Sequence, residues 1–150
     1  MEKIWDKAVK LTAGAAGAVV GLLGGWTPLL KVLAVMMLAD YVSGLAVALM
    51  GRSTKTEYGG LSSKVGATGL ARKGLMLLVV LIAAMLDGAM GTGVHACRDA
   101  ACWFYIANEG ISILENVGQA GAPYPEALKR LLGQKLEETQ KEDERNVEEA

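Results

Sequence analysis

The residues of this chain that could do chemistry are carboxylates and amides set within otherwise apolar segments. Most of them belong to one segment, residues 103–116, which reads WFYIANEGISILEN. At about 100° per residue, a helix places the polar side chains of this segment on one arc and most of its large apolar side chains on the other. Carboxylates on such an arc could carry protons or cations, or could pair with polar groups of another helix. We call this arc the polar stripe; it consists of Tyr105, Asn108, Glu109, Ser112, Glu115 and Asn116.

No residue pattern typical of an enzyme accompanies the polar stripe. The single histidine, His95, has no second ligand near it in sequence, so it predicts neither a general base nor a metal site. Cys97 and Cys102 are separated by five positions, which matches neither a CxxC redox pair nor a zinc site. The glycine-rich segment after residue 50 lacks the order of a phosphate-binding loop. We therefore expect no enzyme, no metal, no cofactor and no nucleic-acid partner.

The composition is typical of a membrane protein. Hydrophobic residues make up 52% of the 150 residues, 19 residues are glycine, and the mean hydropathy is +0.31. The net charge of -1 conceals a segregation of charge, because basic residues flank hydrophobic segments while most acids lie in the last quarter of the chain. A soluble domain would instead spread its charges at helical spacing along each helix.

Four hydrophobic segments predict an all-α, polytopic integral membrane protein. The first segment is short for the hydrocarbon core, so three spans are the alternative. The membrane domain is predicted over residues 1–125. Residues 126–150 are predicted to form a soluble cytoplasmic tail, amphipathic at first and disordered from Glu137 onward. The predicted spans are 9–26, 29–50, 74–92 and 99–119, and the second starts with the N-cap and helix-initiating pair Thr27 and Pro28.

Small residues recur at helical spacing in the first two spans. Gly17, Gly21 and Gly25 follow one another at every fourth position, and Gly44 lies in the second span. In lipid, such a face lets two helices approach closely and pack by backbone contact. The pattern is equally compatible with association between subunits and with packing inside one subunit.

The connection at 51–73 is basic and glycine-rich. Positively charged residues near spans are retained on the cytoplasmic side of a bacterial membrane. We therefore expect this loop, the amino terminus and the carboxy-terminal tail to lie in the cytoplasm, with the protein in the cytoplasmic (inner) membrane. The cations of the loop include Arg52, Lys64, Arg72 and Lys73.

Two further carboxylates, Asp40 and Asp87, are predicted at or near membrane depth. A charge at the middle of a span costs at least ~2.5 kcal/mol, so each needs a polar partner. No single buried cation is evident for these groups and the polar stripe. Either they pair with cations at the cytoplasmic ends of the spans, or subunits assemble so that their stripes line a shared wet interior. The second arrangement favours a homo-oligomer, because four small helices cannot enclose a wide hole alone. The candidate cations are Lys31, Lys64, Arg72 and Lys73.

Several short motifs keep a defined order between residues 40 and 125. In chain order they are DYVSG at 40–44, SSKVG at 62–66 followed by Gly69 and Arg72-Lys73, LD at 86–87, FYIANE at 104–109, SILEN at 112–116, and Gly121, Pro123 and Pro125. Together they resemble the bacteriophage holins of the toxin-secretion/phage-lysis group. The resemblance implies a protein that accumulates in the host membrane and homo-oligomerises at a set time into lesions, which release a muralytic endolysin. The endolysin would be a functional partner, and an antiholin is a further candidate.

Other functions are compatible with the same residues. Some members of the holin group that this chain resembles look like exporters of large proteins or toxins. A small ion or proton channel, or a transporter subunit, could use Glu109 and Asp40 as proton or cation sites. A scaffold that only anchors the tail in the membrane is a third class. These alternatives differ in what crosses the membrane, which an experiment can measure.

Overall fold

A computed structural model describes residues 2–131, 133, 134 and 137, with the backbone alone at 2–4, 8, 15 and 16. Four long α-helices follow one another in this part of the chain, and it contains no strand. The all-α class predicted from the sequence is therefore confirmed. The helices are α1 (Glu2–Leu22), α2 (Pro28–Leu49), α3 (Ser63–Met90) and α4 (Ala96–Ala120).

The start of α2 is the one that the sequence predicts. Thr27 has extended backbone, and its hydroxyl oxygen accepts a hydrogen bond from the Leu30 N–H at 3.3 Å. Pro28 occupies the first helical turn, where its missing N–H costs nothing. The preceding turn contains Gly24 and Gly25 at φ +81° and +89°, a backbone conformation that favours glycine. Gly25, predicted on the packing face of the first span, therefore lies in a turn after the end of α1.

Helix α3 begins earlier than the predicted span at 74–92. Ser62 has extended backbone, and its hydroxyl oxygen accepts a hydrogen bond from the Val65 N–H at 3.4 Å, so Ser62 is the N-cap. The glycines that follow it within α3 keep negative φ and continue the helix. The irregular part of the basic connection is therefore 51–62, and Lys73 belongs to a helix instead of a loop.

Helix α4 holds the subunit together. It packs along both α2 and α3, which make little contact with each other, and α1 touches only α3 among the helices. The apolar core forms where the three longer helices meet, nearer the α3–α4 turn than the basic connection. Its buried members are Leu23, Leu30, Leu33, Met37, Met76, Val80, Cys102 and Ile106.

The exterior of α2 and α3 is apolar. Both helices are long and apolar enough to cross a membrane, and most of each lies exposed on the subunit surface. Large side chains such as Val35 and Leu38 on α2 are 64% exposed, and Met85 on α3 is 59% exposed. The core helix of a soluble protein would bury these side chains, so the surface matches a lipid solvent. These two helices are candidate membrane spans, and the count of four spans stays a prediction.

The amphipathic start of the predicted tail is partly described. Residues 126–131 are helical, and Leu128 and Leu131 are exposed on this segment. Leu132 and Leu136, the other apolar positions of the predicted surface helix, lie outside the described residues. The sequence predicts disorder from Glu137 onward; Glu137 itself is helical, and residues 138–150 lie outside the described residues.

Candidate functional site

Five polar residues from three helices meet inside the subunit. We call this group the polar cluster, and it lies on the side of the apolar core that faces the basic connection. Because α4 packs against both α2 and α3, it brings its own polar residues between those of its neighbours. The cluster consists of Asp40 and Ser43 on α2, Lys73 on α3, and Glu109 and Asn116 on α4.

Lys73 is the centre of the polar cluster. Its ammonium group lies 2.8 Å from Asp40 Oδ2 and also donates to Glu109 Oε2. The residue is 8% exposed and Glu109 is 2% exposed, so both charges are removed from solvent. Of the two arrangements that the sequence leaves open, Asp40 and Glu109 have the first, because they pair with Lys73, one of the four candidate cations. The sequence did not show that this cation is buried. One ammonium group bridges two carboxylates and ties α3 to both of its neighbours.

Asn116 completes the hydrogen bonding of Asp40. Its side-chain Nδ2 donates to Asp40 Oδ1 at 3.1 Å and to Ser43 Oγ at 2.9 Å, and the Ser43 hydroxyl donates to the Asp40 carbonyl at 3.0 Å. Gly44 lies beside this contact, because a Cβ atom there would stand 3.6 Å from Asn116 Nδ2. Across the described part of the chain, every buried side-chain nitrogen or oxygen has a hydrogen-bond partner.

The predicted polar stripe is divided between two surfaces. Glu109 and Asn116 are buried against α2 and α3, whereas Asn108 and Glu115 are exposed. Ser112 is half-buried between these groups. Two of the six stripe residues therefore pair within one subunit, and two others remain available to solvent or to another subunit. Tyr105, also half-buried, packs against the apolar core and forms an edge-to-face contact with Phe104 at 5.2 Å between ring centroids.

Asp87 lies at the opposite end of the subunit from the polar cluster. Its two carboxylate oxygens accept hydrogen bonds from the Cys97 N–H at 3.0 Å and the Arg98 N–H at 2.9 Å. The side chain therefore satisfies two backbone donors in the first turn of α4, where a negative charge is favoured by the helix dipole. Asp87 was predicted to accompany the polar stripe, and within the subunit it caps a helix instead.

Arg98 joins the two turns at the end of the molecule where Asp87 lies. Its Nη1 donates to the carbonyl oxygens of Leu23 and Gly24 at 3.4 and 3.3 Å, and its Nη2 donates to Asp99 Oδ1 at 2.9 Å. The residue is 4% exposed. We call these contacts the Arg98 anchor. Sequence reasoning missed it, because the spacing between residues 24 and 98 carries no signal that the two turns meet.

A cavity of about 590 Å³ adjoins the polar cluster on the side of the basic connection. Lys55, Lys64 and Arg72 line it together with the buried Lys73. Arg52 has a different role, because its Nη1 donates to the Ala120 carbonyl at 2.7 Å and so ties the connection to the end of α4. The predicted basic residues therefore have different positions: Lys64 and Arg72 line the cavity, whereas Arg52 ties the connection to the end of α4.

The glycines of α1 lie against nothing within the subunit. Gly17 and Gly21 are exposed, and a Cβ atom at either position would meet no described atom within 4 Å. The glycine pattern had two interpretations, and one of them was packing inside a single subunit. The structure does not show such packing for Gly17 and Gly21. Association between subunits stays a prediction.

The burial of Lys73, which the sequence names only as one of four candidate cations, could have been predicted from the start of α3. Once Ser62 is taken as the N-cap, Lys73, Met76 and Val80 follow one another at helical spacing on the buried face. Its position on that face marks it as a buried cation. Within the described residues, no three histidine, cysteine, aspartate or glutamate side chains form a group that could hold a metal ion.

Comparison with known proteins gives consistent matches. The sequence profile of the bacteriophage holin family matches residues 17–137. An uncharacterized protein of Listeria innocua is 45% identical over 117 residues, which cover 77% of this chain and 78% of the relative. An uncharacterized 14.9 kDa protein of Clostridium perfringens is 41% identical over 113 residues, 75% of this chain and 80% of the relative. A probable holin of Bacillus phage phi105 is 32% identical over 106 residues, 71% of this chain and 73% of the relative. No solved structure matches this chain.

Proposed function

Because the chain belongs to the bacteriophage holin family, we propose that it homo-oligomerises in the host cytoplasmic membrane and opens lesions through which an endolysin reaches the cell wall. The observation that carries the proposal is the apolar exterior of α2 and α3 in a chain of this family. Subunits with such an exterior accumulate in the bilayer, because lipid satisfies their surface without a protein partner.

The division of the polar stripe supports a specific way of lining a lesion. Glu109 and Asn116 already pair inside the subunit, so they are not free to line a hole in this state. Asn108 and Glu115 are exposed on the other side of the stripe. In the proposed oligomer these two side chains face water, while the apolar faces of α2 and α3 face lipid.

The proposal includes an orientation in the membrane. The amino terminus, the connection at 51–62 and the tail lie in the cytoplasm, since the cations of the chain are concentrated around that connection. Arg52 and Thr54 bond to Ala120 and Gln119, which supports placing the connection and the end of α4 on one side. The turn at 91–95 then lies on the outer side, with the Arg98 anchor.

Timed lysis tests the proposed function. The chain is induced in a bacterium that also expresses a cytoplasmic endolysin, and culture density is followed together with release of an unrelated cytoplasmic reporter protein. We expect a delay followed by abrupt loss of density and release of the reporter. In the matched culture without endolysin, we expect the reporter to be released into the periplasm while the cell wall keeps its shape.

Three outcomes would separate the alternatives. Collapse of the proton gradient without movement of either protein would contradict large lesions and favour a small channel. Export of one cargo with retention of the unrelated reporter would favour a selective exporter. Preserved function after replacement of residues 9–119 by an unrelated membrane anchor would favour a scaffold for the tail.

A further inference from the structure

The cavity next to the polar cluster lies where the helices leave a gap. α4 joins α2 and α3 on one side, and on the other side α2 and α3 make little contact with each other. The connection between them borders one end of this gap, and the partly open cavity there has a volume of about 590 Å³. That volume lies within the range of roughly 300–1,000 Å³ that is usual for small-molecule sites.

The cavity has an excess of positive charge. Its two carboxylates, Asp40 and Glu109, are both engaged by Lys73. The three other cations on its lining, Lys55, Lys64 and Arg72, make no ion pair with any described residue. Four cations therefore line the cavity against two carboxylates, and its lining keeps an excess of positive charge.

The remaining lining suits an anion attached to an apolar body. Asn108 and Ser112 contribute polar side chains to the wall formed by α4, and the first turn of α3, which contains no acidic residue, also borders the cavity. The wall formed by α2 is apolar at Leu45 and Ala48. An anionic group on the rim could thus be joined to aliphatic chains that run outward between α2 and α3.

We propose that this cavity binds a phosphate-bearing anion, supplied either by the headgroup of an anionic glycerophospholipid or by a soluble phosphate ester. Lys64 and Arg72 hold the phosphate from α3, and Lys55 approaches it from the connection. A basic pocket at the cytoplasmic end of membrane helices has the chemistry that recognises lipid phosphate. The cavity shares Asn108 with the surface proposed to line a lesion, but its test measures lipid binding and does not depend on the proposed function.

Binding of defined lipids to the purified full chain tests the site. The chain is reconstituted in neutral phosphatidylcholine, and Kd is measured for added phosphatidylglycerol by a fluorescent lipid probe. We compare Lys64→Gln/Arg72→Gln with the matched variant Lys31→Gln/Arg130→Gln, which removes one lysine and one arginine from exposed positions outside the cavity. Each removed rim cation is expected to weaken binding about fivefold, so the cavity variant loses roughly 25-fold, and the control changes less than twofold.

Competition by glycerol 3-phosphate and inorganic phosphate distinguishes the two sources of the anion. Displacement of the probe by the soluble compounds at concentrations near its own Kd supports a soluble ligand, and no displacement supports the lipid. Equal loss in the cavity variant and its control would overturn the proposal, since it would mean that surface charge alone attracts the lipid. Unchanged binding in the cavity variant would overturn it as well. Lys55→Gln, on the connection, repeats the test if the double variant loses its helical circular dichroism.

Discussion

At the residue scale, the main feature of this subunit is a single ammonium group placed between two carboxylates in its interior. Lys73 contacts Asp40 and Glu109, and Asn116 adds a neutral donor to Asp40. Removing charges from water is costly, and contact between opposite charges with full hydrogen bonding offsets that cost. The free energy of the polar cluster depends on all of its side chains, because the loss of one side chain leaves another without a hydrogen-bond or ion-pair partner.

Lys73→Met should destabilise the subunit strongly. The change leaves the buried Glu109 carboxylate and the half-buried Asp40 carboxylate without their cation, a loss of about 3–5 kcal/mol in the free energy of unfolding. Denaturant unfolding in detergent, followed by circular dichroism, measures it. Lys31→Met, at an exposed lysine of α2, is the control and should change stability by less than about 0.5 kcal/mol. Partial recovery in Lys73→Met/Asp40→Asn/Glu109→Gln would support the electrostatic cause, and equal stability of the two single variants would contradict it.

Glu109→Gln should abolish lysis or change its onset while the protein still reaches the membrane. The amide leaves Lys73 paired with Asp40 alone, so the charge of the polar cluster and its attachment to α4 both change. Onset of lysis after induction is the measurement, with membrane abundance determined in the same cultures. Glu126→Gln, an exposed glutamate after the end of α4, is the matched control. An onset identical to that of the unaltered chain would exclude the cluster from triggering.

At the scale of elements, α4 is the helix on which the others depend. Asp87 caps its start, Arg52 bonds to the carbonyl of Ala120 at its end, and its middle contributes Glu109 to the polar cluster. α1 is attached differently, since it touches only α3 among the helices and its carboxy-terminal end is held by Arg98. α1 is therefore the element that can move relative to the rest with the smallest loss of contacts.

Gly24→Ala should loosen α1 more than Gly25→Ala. Both residues have positive φ, so alanine costs about 1–2 kcal/mol of backbone strain at either position. At Gly24 the new Cβ would also stand 2.6 Å from Arg98 Nη1, whereas at Gly25 it would meet nothing within 4 Å. If Arg98 is displaced, its hydrogen bonds to the carbonyls of the turn are lost. A hydrogen bond to a charged group contributes about 1.5–3 kcal/mol. Hydrogen exchange of α1 amides measures the difference, and equal exchange in the two variants would exclude the Arg98 anchor as the attachment.

At the scale of the whole molecule, the exposed surface of α2 and α3 carries many large apolar side chains, while a few polar and charged residues are buried beside the apolar core. That exterior suits lipid, and the glycines of α1 at 17 and 21 meet no described atom of the subunit. A lipid-exposed face of glycines allows close helix approach when a second copy is present. This leaves α1 as the candidate surface for assembly in the proposed oligomer.

Gly21→Leu should weaken association between subunits. A leucine on this face keeps the helix but prevents close backbone approach, so the fraction of crosslinked dimers and higher oligomers in membranes should fall several-fold. Gly74→Leu is the control, because Gly74 is also exposed in a helix with open space around it. If the two variants give the same crosslinking ladder as the unaltered chain, α1 is not the assembly surface.

The sequence by itself predicted that the chain forms helices and that these helices belong to a membrane protein. Apolar segments of membrane length, the Thr27–Pro28 start and the concentration of charge in a few stretches depend on local pattern, so they predict helices and a membrane class directly. The start of α3 could also have been predicted, because serine is one of the residue types that commonly cap a helix start and Ser62 is the N-cap here. The predicted span at 74–92 missed it because hydropathy detects the apolar part of a helix and not its polar first turns.

Only the tertiary structure decided which polar groups meet. Glu109 and Asn108 are neighbours in sequence, yet one contacts Lys73 and the other faces outward, because successive residues of a helix point about 100° apart. Asp40 and Asp87 are both carboxylates in apolar helices, yet one joins the polar cluster and the other caps α4. Such pairings depend on the relative rotation and depth of packed helices. Side-chain packing along α4 sets both, and the paired residues lie 10 to 76 positions apart in the sequence.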